Sequence, residues 1–151
     1  VKCIQRDIQI SNHRRIFKMI KLFIGGKGSG KTKTLIEMVN NAVNESKGNV
    51  ICIEKGDKLI HDITYKARLI DTDAYAVLDA DALYGFIAGI LASNSDITDV
   101  FVDSALKIIG NDVIAFEGML KKLEKITEGV NLVMTSSIAV EDAPEAIKAY
   151  T

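Results

Sequence analysis

The stretch IKLFIGGKGSGKTKTLIEMVNNAVNE, residues 20–45, decides the fold. Its first five residues are apolar except for Lys21, which reads as a buried strand. Four glycines within residues 25–30 break that run. From Lys31 to about residue 45, Leu35, Met38, Val39, Ala42 and Val43 recur at i, i+3, i+4, i+7 and i+8, one face of a helix. Strand, glycine-rich loop and helix therefore follow in immediate succession, and GGKGSGKT at residues 25–32 matches GxxxxGK[ST] in the context that gives the pattern its meaning. The chemistry follows from the residue types. Gly25, Gly26, Gly28 and Gly30 let the backbone take left-handed angles, so that the loop amides, with that of Ser29, converge on phosphate oxygens without a Cβ in the way. The helix start adds its dipole and unpaired N–H groups. Lys31 is placed to reach β- and γ-phosphates, and the Thr32 hydroxyl to ligate Mg²⁺. Lys27 and Lys33 flank the loop and would add positive potential; their plainer reading is as solvated surface lysines.

Outward from this unit the pattern alternates. Residues 49–54 (NVICIE), 67–71 (ARLID), 97–102 (ITDVFV) and 130–134 (VNLVM) read as further strands, the second of them the weakest. Helical patterns occupy residues 79–92, with Asp79 or Asp81 as cap, residues 112–128, and residues 144–150 starting at Pro144. Strands separated by helices imply an α/β fold, a mostly parallel, doubly wound sheet covered on both faces.

Composition narrows the class. The chain has 151 residues with 48% hydrophobic and 26% charged, the profile of one globular domain. Cys3 and Cys52 are too few for a disulfide framework, which favours a reducing, cytoplasmic setting. With His13 and His61 the only histidines, metal and triad chemistries built on histidine have little to draw on. The longest uncharged run, residues 82–95, is short of the ~20 apolar residues of a membrane span, so no membrane association is expected. Charge is uneven: residues 1–18 carry a net +4, and residues 19–151 carry 14 basic against 19 acidic groups, a net −5. Residues 1–18 lack helical or strand periodicity and precede Met19, so they are expected to be a basic extension outside the fold, with residues 19–151 as the nucleotide-binding domain. An acidic domain disfavours nucleic acid as a partner.

The loop motif in its setting resembles the P-loop NTPase superfamily over most of residues 19–137. The resemblance implies a three-layer α/β/α fold with ATP and Mg²⁺ as cofactors. It also implies a carboxylate at the end of a neighbouring strand to hold the metal. Asp103, which ends Val100-Phe101-Val102, fits that place; capping the next segment is its plainer role. Ser104 stands where many ATPases of the additional-strand type carry a catalytic Glu. Glu54, at the end of the second strand, matches the place of the water-polarising carboxylate in RecA-like and F1-like branches, and is equally read as a surface acid beside Lys55 and Asp57. Thr135, followed by Ser136 and Ser137, falls where the superfamily often has a polar sensor of the γ-phosphate, or a simple cap.

MIKLFIGGKGSGKT, NVICIEKGDKL and ITDVFVDSALKIIG together resemble a family of small bacterial P-loop proteins, some labelled twitching-motility or pilus-retraction ATPases. Those motors carry histidine boxes, whereas this sequence has only His61 after Met19. What the resemblance implies is a Mg-dependent ATPase with Lys31 and Glu54 in catalytic roles. A nucleotide-operated binding switch with little hydrolysis is the alternative, and a small kinase a third. Kinases use several arginines on their phosphates, but Arg68 is the only arginine after Arg15. Rapid turnover would then call on a protein partner or second copy of the chain to supply an arginine.

Overall fold

A computed structural model describes residues 20–151 of the chain. The expected basic extension at residues 1–18 lies outside the described residues, as does Met19. Five strands form one sheet in the order β1-β5-β4-β2-β3: β1 (Ile20–Ile24), β2 (Asn49–Glu54), β3 (Arg68–Asp71), β4 (Ile97–Val102) and β5 (Asn131–Ser136). All four pairings are parallel. The helices are α1 (Lys31–Glu45), α2 (Ala80–Ser93), α3 (Ala105–Ile108), α4 (Val113–Glu124) and α5 (Glu145–Lys148).

The chain steps toward one sheet edge from β1 through β2 to β3, then reverses through β4 and β5. A parallel crossover has one hand, so reversing direction moves the covering helices to the other face. The buried residues divide accordingly. Leu35 and Val39 of α1, with Leu59, Ile63 and Ala67 of the β2–β3 connection, cover Val50, Cys52, Phe101 and Val133. On the opposite face, Leu83 and Ile87 of α2, Phe116, Leu120 and Leu123 of α4 and Ile147 of α5 pack on Ile53, Val102, Leu132 and Met134. Each such fully buried side chain contributes roughly 1.5–3 kcal/mol of apolar burial. Both faces are covered, which explains why the central strands read as continuous apolar runs rather than alternating ones.

The register places one row of side chains at the carboxyl end of the sheet. Phe23 pairs with Thr135, Val102 lies between Met134 and Ile53, and Glu54 pairs with Asp71. The Asp103 amide donates to the Ile53 carbonyl at 2.8 Å, extending the β4–β2 ladder by one step. Because side chains alternate along a strand, Thr135, Asp103 and Glu54 share the α1 face of Val133, Phe101 and Cys52.

Boundaries differ from the sequence expectation where polar residues join an element for tertiary reasons. β5 runs to Ser136 rather than 134, because Thr135 and Ser136 continue the ladder with Phe23 and Ile24 of β1. The helix expected over 112–128 spans Val113–Glu124, since the Lys125 and Ile126 amides bond carbonyls only three residues back, those of Lys122 and Leu123, and the α-helical ladder breaks there. The helix expected over 144–150 spans Glu145–Lys148. Asp79 caps α2 through the Ala82 amide, and Asp112 caps α4 through that of Ala115. The short α3 had no periodic signal of its own.

Gly48, which leads into β2, is the most closely approached of the described glycines. A Cβ there would run into the backbone carbonyl of Asp96 and the methyl of Thr98. Gly48→Ala should therefore destabilise the protein by about 1–3 kcal/mol, the usual cost of overpacking, read as a lower urea midpoint with unchanged slope.

Candidate functional site

A cleft of about 630 Å³ opens at the carboxyl end of β1, between the glycine-rich loop and the segment that follows β4. Its loop side is built by Lys27, Gly28, Gly30, Lys31, Thr32 and Lys33, and its other wall by Ser104, Leu106, Lys107 and Asn111, with Ser137 beyond the end of β5. Four lysines and no carboxylate line it. In a domain with five more acidic than basic groups, that concentration of one sign creates a local positive field suited to an anion.

The loop's path depends on its glycines. Gly28 (φ 78°) and Gly30 (φ 85°) are left-handed, a region that other residues enter at a cost. The Lys31 ammonium folds back to donate to the carbonyls of Gly25 (2.9 Å) and Gly26 (2.8 Å) and to the Ser29 hydroxyl (3.1 Å), so one side chain laces the loop together. Gly30 stands at the N-cap of α1 and supplies no side-chain cap, and the first turn holds no acid. The longer helices α2 and α4 each cap themselves with an aspartate. The first amides of α1 are thus unsatisfied by any side chain of its own, and its positive dipole end faces the cleft.

Beneath the loop, Asp103 joins three elements. Its Oδ1 accepts from the hydroxyls of Thr32 (3.0 Å) and Thr135 (2.9 Å), tying the first turn of α1 to β5 and to the end of β4. Thr135 is fully buried, and its Oγ1 accepts the Ser104 amide at 2.8 Å. That contact accompanies a left-handed Ser104 (φ 55°), an uncommon conformation for a non-glycine residue, which turns the chain away from β4 and into the cleft wall.

Glu54 is brought next to this cluster but does not line the cleft. Only 2% exposed, it accepts the Leu59 amide at both carboxylate oxygens, 3.3 and 3.1 Å, and so closes the turn after β2. Burial pushes its carboxyl above the ordinary value of 4.5; the Leu59 and Lys58 amides oppose this, and the nearby charges of Asp103 and Asp71 add to it. Asp71 in turn accepts the amides of Gly56 and Asp73.

The loop residues Gly25–Thr32 and Lys33, expected as one set, do lie together, with Asp103 directly behind Thr32. Thr135 reaches the cluster through Asp103 and not through the cleft. Lys107 and Asn111 were not singled out from the sequence. The Gly110-Asn111 pair is a turn signal that flags the segment, yet only the fold turns it toward the loop. Arg68 sits at the amino end of β3, the opposite end of the sheet from the cleft. Among the described residues no group of three or more His, Cys, Asp or Glu side chains could hold a metal, and no helix is long and apolar enough to cross a membrane.

The raised Glu54 pKa has a consequence for stability. The folded chain holds that proton more tightly than the unfolded chain, so the stability it contributes is fully present below pH 4.5 and declines as pH rises through the folded pKa. Glu54→Gln keeps an acceptor for the Leu59 amide and removes the charge. The variant should match or exceed the parent's urea midpoint at pH 8 and lose the decline that the parent shows as pH rises above 4.5. No protein-family model matches the sequence, and a search of curated proteins returns no match.

Proposed function

We propose that the protein is a P-loop NTPase that binds ATP with Mg²⁺ in the cleft over Gly25–Thr32. One observation carries the reading. Four lysines converge, with no acid among them, on a glycine-rich loop that opens an uncapped fifteen-residue helix. An isolated anion would be served by fewer charges; a polyphosphate uses them all. Lys31 would exchange its loop carbonyls for phosphate oxygens, and the amides of residues 26–32 would cradle the same group. Lys27 and Lys33 would add charge at the rim.

Thr32 and Asp103 would hold the Mg²⁺. Both are hard oxygen donors, already 3.0 Å apart, and Mg²⁺ typically takes one or two protein oxygens and draws the rest from phosphates and water. When bound, the ion neutralises charge on the β- and γ-phosphate oxygens. Thr135 holds the Asp103 carboxylate from behind and stands in for a γ-phosphate sensor only through it. Glu54 is the candidate base for hydrolysis: it sits beside the Asp103 cluster, and burial raises its pKa above the ordinary value, the direction that strengthens a carboxylate as a base.

A specific observation favours a second reading, a nucleotide-operated switch with little hydrolysis. Ser104 follows Asp103 where a carboxylate would activate water, and the Glu54 carboxylate is committed to the Leu59 amide. The kinase reading weakens because Arg68 lies at the far end of the sheet. ATPase and switch part on turnover. Phosphate release that Glu54→Gln abolishes, with nucleotide affinity kept, supports the enzyme; ATP binding with negligible release in the parent supports the switch.

For binding itself, Lys31→Ala removes a charge-assisted contact of about 1.5–3 kcal/mol, so the Kd for MgATP should rise roughly 10- to 100-fold by calorimetry. Asp103→Asn should weaken ATP binding in the presence of Mg²⁺ far more than in its absence. Unchanged affinity in Lys31→Ala overturns the proposal.

A further inference from the structure

Resting on the nucleotide reading above, a further role falls to the cleft wall opposite the loop. Lys27, Lys31 and Lys33 belong to the loop and its helix. The fourth lysine, Lys107, enters from α3, on the segment that leaves β4 immediately after Asp103. Among the described residues its ammonium makes no ion pair, whereas Lys55, the lysine following Glu54, is committed to Asp73 at 2.6 Å. Its side chain is exposed, yet its backbone is firmly held. Leu106, Ile108 and Ile109 around it are at most 4% exposed, and the Asn111 amide closes the turn on the Leu106 carbonyl at 2.7 Å. Gly110 (φ 80°) and Asn111 (φ 62°), two left-handed residues in succession, make that closure and bring Asn111 into the same wall.

We infer that Lys107 is the specificity-determining residue for the terminal phosphate, selecting nucleoside triphosphate over diphosphate. The physical need is plain. A triphosphate carries about one more negative charge than a diphosphate at neutral pH, and the extra charge lies at the end of the chain of phosphates. The loop and α1 amides would meet the inner phosphates from one side only. Among the described residues the sole arginine is at the far end of the sheet, and the cation they place on the wall across the cleft from the loop is Lys107. Lys107 is four residues past Asp103 and is carried by the turn that Asp103, Ser104 and Thr135 brace. The backbone from which its side chain reaches is therefore set by the element that would hold Mg²⁺, and it faces the cleft from the wall opposite Lys31, which leaves it the outermost phosphate.

Calorimetric titration with MgATP and MgADP of the full chain, Lys31→Ala, Lys107→Ala and Lys107→Arg tests this. Lys107→Ala should lose about tenfold or more in ATP affinity while ADP affinity stays within about twofold, and Lys107→Arg should retain most of the preference. Circular dichroism melting serves as the control for folding; the side chain is exposed, so the melting temperature should not move. If the parent binds both nucleotides, Lys31→Ala loses both, and Lys107→Ala weakens both equally or neither, the role of Lys107 is overturned while the nucleotide reading stands. If the parent binds neither, or Lys31→Ala binds as the parent does, the nucleotide reading fails and this inference falls with it.

Discussion

One carboxylate oxygen holds the functional end of this molecule together. Oδ1 of Asp103 accepts hydroxyl hydrogen bonds from Thr32 and Thr135, which come from the first turn of α1 and from β5. Apart from that convergence the glycine-rich loop is tied to the sheet by β1, by the apolar face of α1 and by the Gly25 amide on the Ile138 carbonyl. Thr135 passes the constraint on by accepting the Ser104 amide, which fixes where the chain turns into the opposite wall of the cleft. Loop, sheet and wall are thus positioned by three short side chains. Charge-assisted bonds to an ionised carboxylate are among the stronger ones available for this.

That arrangement rests on sheet topology. β5 lies between β1, which carries the loop, and β4, which carries Asp103. The hydroxyl of Thr135 therefore sits between the loop and the carboxylate, on the face that α1 covers. The reversal of chain direction after β3 puts the loop's helix on one face and α2, α4 and α5 on the other. Open parallel sheets hold ligands outside the carboxyl ends of their strands, where neighbouring connections leave to opposite faces. The boundary between β1 and β5 is such a place.

Electrostatics follows the same division. The described domain is acidic on balance, but carboxylates are absent from the cleft lining and lysines are gathered there. Several acids elsewhere serve local purposes: Asp79 and Asp112 cap helices, Asp71 closes a turn, and Glu54 closes the turn after β2. An aspartate cap takes up one of a helix's first amides and places a negative charge there, so the absence of such a residue at α1 is part of what makes its start available to an external anion.

The strand, loop and helix of residues 20–45 were legible because glycine spacing and apolar periodicity are local properties, fixed by backbone sterics and by one helical face. The other strands were legible for the same reason, as apolar runs between polar turns. The end of β5 was misjudged because Thr135 and Ser136 look like loop residues until β1 pairs with them. The sequence alone thus determined the α/β class, the glycine-rich loop between strand and helix, and the candidate carboxylates. The tertiary structure decided strand order, and with it which polar residues meet: Thr32 with Asp103 and Thr135, Lys107 across from Lys31, Arg68 far from both. Those juxtapositions join residues about thirty to seventy positions apart, and only crossover direction and strand register, which no local pattern encodes, bring them together.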